Sequence, residues 1–157
     1  MPIDARYHEQ VRLLVSLLPF LNDEPCFALK GGTAINLFVQ SLPRLSVDID
    51  LAYLPLEPRD EALRHCREAL QRLAEAFNSR LPGVRAELQN NRRDELRILV
   101  RRGRSQVKVE VSPVLRGTLH APQERDVAEA VEDEYGFAAV QVVSLPDLYG
   151  GKICAAL

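Results

Sequence analysis

Residues 46–54 read SVDIDLAYL, and the alternation in this stretch decides the architecture around it. Side chains of an extended strand point to opposite faces with a period of two. Ser46, Asp48, Asp50 and Ala52 therefore share one face, and Val47, Ile49, Leu51 and Tyr53 the other. The apolar face needs a cover and the polar face does not. Asp48 and Asp50 stand about 7 Å apart at their Cα atoms, where two carboxylates repel unless something positive lies between them. The spacing predicts a place for a cation, and solvated acids on a wet strand face are the plain alternative.

Working back along the chain, CFALK (26–30) is a short apolar run stopped by Gly31-Gly32, which predicts a buried strand. Gly31-Gly32-Thr33 then opens a short helix over about 33–40. Glycines at such a turn let the backbone approach a ligand, and the free N–H groups of the helix start attract an anion. A purely steric need for glycine explains the same residues. Further upstream Tyr7, Val11, Leu14, Leu18 and Leu21 recur at steps of four and three behind an Asp4 cap, the stripe of an amphipathic helix ending within Pro19–Asn22.

Downstream, Leu63, Cys66, Leu70, Leu73 and Phe77 keep the same spacing, so a second long helix follows Pro58 and closes within Asn78–Gly83. VRAEL (84–88) reads as a strand. Residues 95–112, ELRILVRRGRSQVKVEVS, are two alternating runs around Arg102-Gly103-Arg104-Ser105, hence a β-hairpin. On its second strand Val107, Val109 and Val111 face one way, Lys108 and Glu110 the other. A polar helix is expected over about Gln123–Tyr135, stopped by Gly136, then a strand at AAVQVV (138–143). Ser144-Leu145-Pro146-Asp147 reads as a capping box opening a last helix that carries Lys152. Helices before, between and after strands predict an α+β class with a mostly antiparallel or mixed sheet.

Composition narrows the function. The 157 residues suit a single domain spanning 1–157, and 46% hydrophobic with 27% charged residues is ordinary globular composition. The apolar stretch Leu13–Leu21 is broken by Ser16 and Pro19 and falls short of the roughly 20 residues that cross a bilayer, so no membrane association is expected. The N-terminus lacks a basic start and an apolar core, and a cytoplasmic location follows. Cys26, Cys66 and Cys154 lack metal-site spacing and read as buried hydrophobes in a reducing compartment. A net charge of −2 removes the global basic field of a dedicated nucleic-acid binder, so such contact must be local. Arg92, Arg93, Arg97, Arg101, Arg102 and Arg104 supply a local cluster suited to RNA phosphates, or equally a solvated hairpin edge. Of 20 Lys and Arg residues only Lys30, Lys108 and Lys152 are lysine, a compact ammonium where the chain otherwise uses guanidinium.

The acids and the glycine turn acquire meaning together. Mg²⁺ is held by a few carboxylates plus substrate phosphates, and a pair of such ions can clamp both oxygens of an in-line displacement. A phosphate cradle at 31–33 and carboxylates at 48 and 50 can meet on neighbouring strands. Glu110 on a later polar face is a candidate third ligand or a base for a hydroxyl proton, with Lys108, Arg44 and Lys152 placed to neutralise phosphate charge.

LKGGTAINLF (29–38) followed by LPRLSVDIDL (42–51) resembles the Gly-Gly-[Ser/Thr] and Arg-x-Ser-x-Asp-x-Asp-Leu signature of the AbiEii/AbiGii-type toxin nucleotidyltransferases, within the polymerase-β-like superfamily. VKVEVSPVL and SLPDLYGGKICAAL are similar to that family's later strand and its lysine-bearing helix. The resemblance implies a nucleotidyltransferase-like mixed sheet flanked by helices. It also implies Mg²⁺-dependent transfer of a nucleotide from an NTP to RNA, notably tRNA, in a toxin–antitoxin phage-defence system with an AbiEi-like antitoxin. Residue by residue, it implies Gly31, Gly32 and Thr33 for the phosphate turn and Arg44 and Ser46 for nucleotide binding. It further implies Asp48 and Asp50 for the metal, with Lys152 as the helix lysine and Glu110, on a looser match, as the third acid.

The family continues into an Arg-x-x-x-Arg-Asp segment and a helical C-terminal region beyond the point where this sequence ends at Leu157. That end leaves Leu148, Ile153 and Leu157 as an apolar face, from which a homo-oligomer is expected. Three rivals stand beside the enzyme: a silent domain that binds nucleotide, RNA or a protein partner without transfer, a haloacid-dehalogenase-type phosphatase, and transfer to a small acceptor such as an aminoglycoside. The phosphatase leaves the glycine turn unexplained.

Overall fold

The computed structural model describes residues 5–30, 48–89, 96–116, 123–126 and 139–142. Helix α1 (Ala5–Leu17) runs into a 3-10 helix (Leu18–Asp23) that accommodates Pro19 in its first turn, where a missing N–H costs nothing. Strands β1 (Phe27–Lys30) and β2 (Asp48–Tyr53) follow, then α2 (Arg59–Arg80) behind Pro58. The chain continues through β3 (Val84–Gln89), β4 (Arg97–Arg102), β5 (Ser105–Arg116), β6 (Gln123–Asp126) and β7 (Ala139–Val142).

These strands form one sheet in the order β3-β4-β5-β2-β1-β7-β6. The pairs β2/β5 and β1/β7 are parallel and the rest antiparallel. The α+β class and the mixed sheet expected from the sequence are those observed. The hairpin is present with a two-residue loop: Arg102 pairs with Ser105, and Gly103 has φ +60°, as the first central residue of a type I′ or II′ turn requires. Strand β5 runs on past Pro113 to Arg116, and its pairing with β2 shifts register between Leu51 and Tyr53. A proline is tolerated where a ladder is so interrupted.

One expectation fails in its first turn. The polar helix predicted from Gln123 is, over Gln123–Asp126, an edge strand paired antiparallel with β7. Gln-Glu-Arg-Asp has no apolar period to choose between helix and strand, and an edge position tolerates charged residues, so the ladder offered by β7 decides. The remainder of that predicted helix, the helix over 33–40 and the terminal helix lie outside the described residues.

Alternation sorts the sheet into two faces. Leu29, Ile49, Leu51, Ile98, Val100, Val107 and Val109 are fully buried in one cluster with Val11, Leu14 and Leu18 and with Leu63, Cys66, Leu70, Leu73 and Phe77 of α2. Both helices thus cover the apolar face, as their stripes require. Phe77 meets Phe20 edge to face at 5.4 Å between ring centroids. The Asn78 amide fastens the end of α2 to β3 by accepting from Ala86 N–H and donating to Ala86 C=O, at 2.8 and 2.9 Å. Among the described residues, buried Cys66 and half-buried Cys26 form no disulfide, and burial pushes Cys26 up to about 11, which keeps it protonated. Among the described residues no helix is long and apolar enough to cross a membrane.

Candidate functional site

The opposite face of the sheet carries the charges. Strand register lays them out in rows, because aligned partners on neighbouring strands point the same way. One row runs Arg97 (β4), Glu110 (β5), Asp50 (β2) and Lys30 (β1): Arg97 pairs with Glu110, Glu110 with Asp50, and Asp50 with Lys30. The next row holds Leu99, Lys108 and Asp48. Asp48, Asp50 and Glu110 are all half-buried, as are Lys30, Lys108 and Arg97. Residues distant in sequence are brought together by the parallel pairing of β2 with β5.

The row alternates as cation, anion, anion, cation, and its electrostatics follow. Burial raises the Asp50 carboxyl above the ordinary carboxylate range; the neighbouring Glu110 adds to the rise, Lys30 opposes it, and Asp48 adds again. The Nε of Arg97 lies 2.9 Å from Oε1 of Glu110 and compensates the outer acid. Two adjacent carboxylates flanked by cations and held off full solvation form a site where an added cation would relieve repulsion.

The donor chemistry fits a hard divalent ion, being all carboxylate oxygen. The side chains as placed, with Glu110 held by Arg97, do not close around one: among the described residues no three His, Cys, Asp or Glu side chains form a metal-binding group. Asp48 and Asp50 are the paired donors, and Glu110 stands beside Asp50. Gly31, Gly32, Thr33, Arg44, Ser46 and Lys152 lie outside the described residues. Sequence reasoning singled out Lys30 only as one of three lysines, and missed both its place beside Asp50 and the hold of Arg97 on Glu110. Only the register between strands reveals them, although Lys30 directly precedes the glycine turn.

The family model described as "Nucleotidyl transferase AbiEii toxin, Type IV TA system" matches residues 12–157. The chain belongs to the AbiEii nucleotidyl transferase toxin family. The description of that family is of nucleotidyl transferase toxins of a type IV toxin–antitoxin system. No curated protein is matched by the chain. Among solved structures, the nucleotidyltransferase toxin MenT4 of Mycobacterium tuberculosis H37Rv is similar, with a TM-score of 0.69 at 18% sequence identity over 97% of this chain. That likeness is one of fold. The AbiEii-family chain described here spans 55% of the MenT4 chain, so it corresponds to little more than half of that protein's length.

Proposed function

We propose that this chain transfers a nucleoside monophosphate from an NTP to a hydroxyl of an RNA acceptor such as tRNA, as the toxin of a cytoplasmic system whose antitoxin is AbiEi-like. The observation that carries the reading is the register pair Asp50–Glu110 beside Asp48, which gathers three acids on the face of the sheet away from the helices. In the reaction the acceptor oxygen bonds to the α-phosphorus while the bond from that phosphorus to the bridging oxygen breaks, and pyrophosphate leaves. Asp48 and Asp50 would hold Mg²⁺ with Glu110 as third carboxylate, and the ion when bound supplies charge neutralisation at the phosphate oxygens. Gly31, Gly32 and Thr33 would cradle the triphosphate. Arg44, Ser46 and Lys152 would bind nucleotide and stabilise its charge, and Lys30 next to the turn adds a cation within the row. Glu110, if not ligating, would take the hydroxyl proton.

One observation favours the rival in which nucleotide binds without transfer: the Arg97–Glu110 ion pair occupies the third acid. Incubation with each labelled NTP and total tRNA separates the two. Label should enter tRNA with the wild type and not with Asp48→Ala. Calorimetry with Mg²⁺–NTP should show heat for the wild type that Asp48→Asn/Asp50→Asn loses; equal heats in both would overturn the metal–nucleotide site.

A further inference from the structure

The rows of the polar face continue outward past the acids, and there the charge turns positive. Beyond Lys108 and Leu99 the next row is Arg85 on β3, Arg101 on β4 and Gln106 on β5, since Arg85 pairs with Arg101 and Arg101 with Gln106. Arg85 and Arg101 are exposed and share the face of Asp48, Asp50 and Glu110. Like charges directly opposite across an antiparallel pair repel. No ion pair among the described residues takes up either guanidinium; Arg101 Nε reaches only the Gln106 amide oxygen, at 3.4 Å. From strand spacing and rise, Arg101 stands on the order of 12 Å from Asp48 at the Cα level, with Lys108 between them.

We infer that Arg85 and Arg101 form the docking track for the acceptor strand, gripping backbone phosphates a few nucleotides from the hydroxyl that reacts at Asp48 and Asp50. A polyanion laid between the two arginines removes their repulsion, and guanidinium forks suit phosphate bidentately. Leu99, buried on this same face, gives the strip an apolar floor. Glu87, exposed on the same face of β3 and paired in register with Leu99, is the opposing charge of the strip. None of Arg85, Glu87, Leu99, Arg101, Gln106 and Lys108 is aromatic, so the strip grips phosphates rather than stacking bases, and binding of this kind ignores sequence. This inference rests on the nucleotidyl-transfer reading for its acceptor.

The test measures anisotropy of a labelled single-stranded oligoribonucleotide over a salt series, with Mg²⁺–NTP calorimetry on the same proteins. Arg85→Gln/Arg101→Gln should bind RNA roughly tenfold more weakly at low salt, with a log–log salt slope shallower by about 1.4 for two lost phosphate contacts. Arg85→Lys/Arg101→Lys should restore most of the affinity and slope, and Glu87→Gln should tighten binding. All three sets of changes fall on exposed side chains, and unchanged thermal melts would confirm folding. RNA affinity and slope unchanged in the glutamine variant would overturn the track, as would wild-type protein that binds polyglutamate but not RNA, or no polyanion at all. RNA held by the two arginines in a protein that gives no heat with Mg²⁺–NTP would uphold the track and overturn the transfer reading alone.

Discussion

Arg97 Nε lies 2.9 Å from Glu110 Oε1 across the antiparallel β4/β5 pair, and Glu110 is at the same time the register partner of Asp50 on β2. One carboxylate therefore has a cation on one side and another carboxylate on the other. The two side chains are 35% and 36% exposed, so water screens the pair in part. Arg97 offsets repulsion that the sheet itself creates by aligning β2 with β5.

Arg97→Ala should therefore lower stability by about 1 kcal/mol, and the same change in a Glu110→Gln background should cost less. Urea denaturation of the four proteins closes the double-mutant cycle, with a coupling of roughly 0.5–1 kcal/mol expected. A coupling of zero would mean that solvent screens the pair completely.

Asp50→Asn should stabilise the fold while removing transfer. The folded-state carboxyl is raised, chiefly by burial and then by Glu110, so its contribution is fully present below the unfolded value and is lost as pH rises through the folded one. Neutral pH lies above the unfolded value, so that contribution is diminished there, and asparagine, which does not titrate, escapes the loss. The gain in melting temperature should shrink on acidification, as the wild-type carboxyl takes up its proton. An Asn variant that melts lower than wild type at neutral pH would contradict this account.

The acidic part of the candidate site was legible because strand alternation is local. SVDIDLAYL alone separates Asp48 and Asp50 from Ile49 and Leu51, and QVKVEV does the same for Glu110 against Val109 and Val111. What the sequence cannot carry is register between strands far apart in the chain. The row Arg97–Glu110–Asp50–Lys30 follows from β5 pairing parallel to β2, and no spacing within either strand encodes that offset. Gln123–Asp126 was misread for a related reason: a polar edge strand takes its conformation from its neighbour β7 rather than from its own pattern.

On the helix side, Glu57 accepts hydrogen bonds from the Tyr53 hydroxyl and from His65 Nδ1, at 2.9 Å to Oε2, tying the link after β2 to α2. The bond from His65, then that from Tyr53, hold the Glu57 carboxyl below the ordinary carboxylate value. A lowered acid contributes stability above its unfolded value and loses it as pH falls through the folded one. Glu57→Gln should melt below the wild type at neutral pH, with the two curves converging at acid pH below that value. Parallel curves across the range would show that the ionised form adds nothing.

A second linkage, Glu24 with Arg72, tests how burial sets the cost of losing one partner. Arg72 of α2 donates from Nε and Nη2 to the two carboxylate oxygens of Glu24 at 2.6 and 3.0 Å. The Glu24 side chain is 9% exposed and that of Arg72 58%, so the anion depends on the cation more than the reverse. Arg72→Ala leaves a buried carboxylate without its counter-ion and should cost about 2–4 kcal/mol. Glu24→Gln leaves an arginine that water can reach and a neutral amide that still accepts a bond, and should cost about 1 kcal/mol. Chemical denaturation of both variants measures the order. Should the glutamine variant prove the less stable, Glu24 is solvated in the fold and its apparent burial is not what makes the pair matter. RNA and nucleotide binding should survive in both, because α2 covers the face of the sheet away from Asp48 and Asp50.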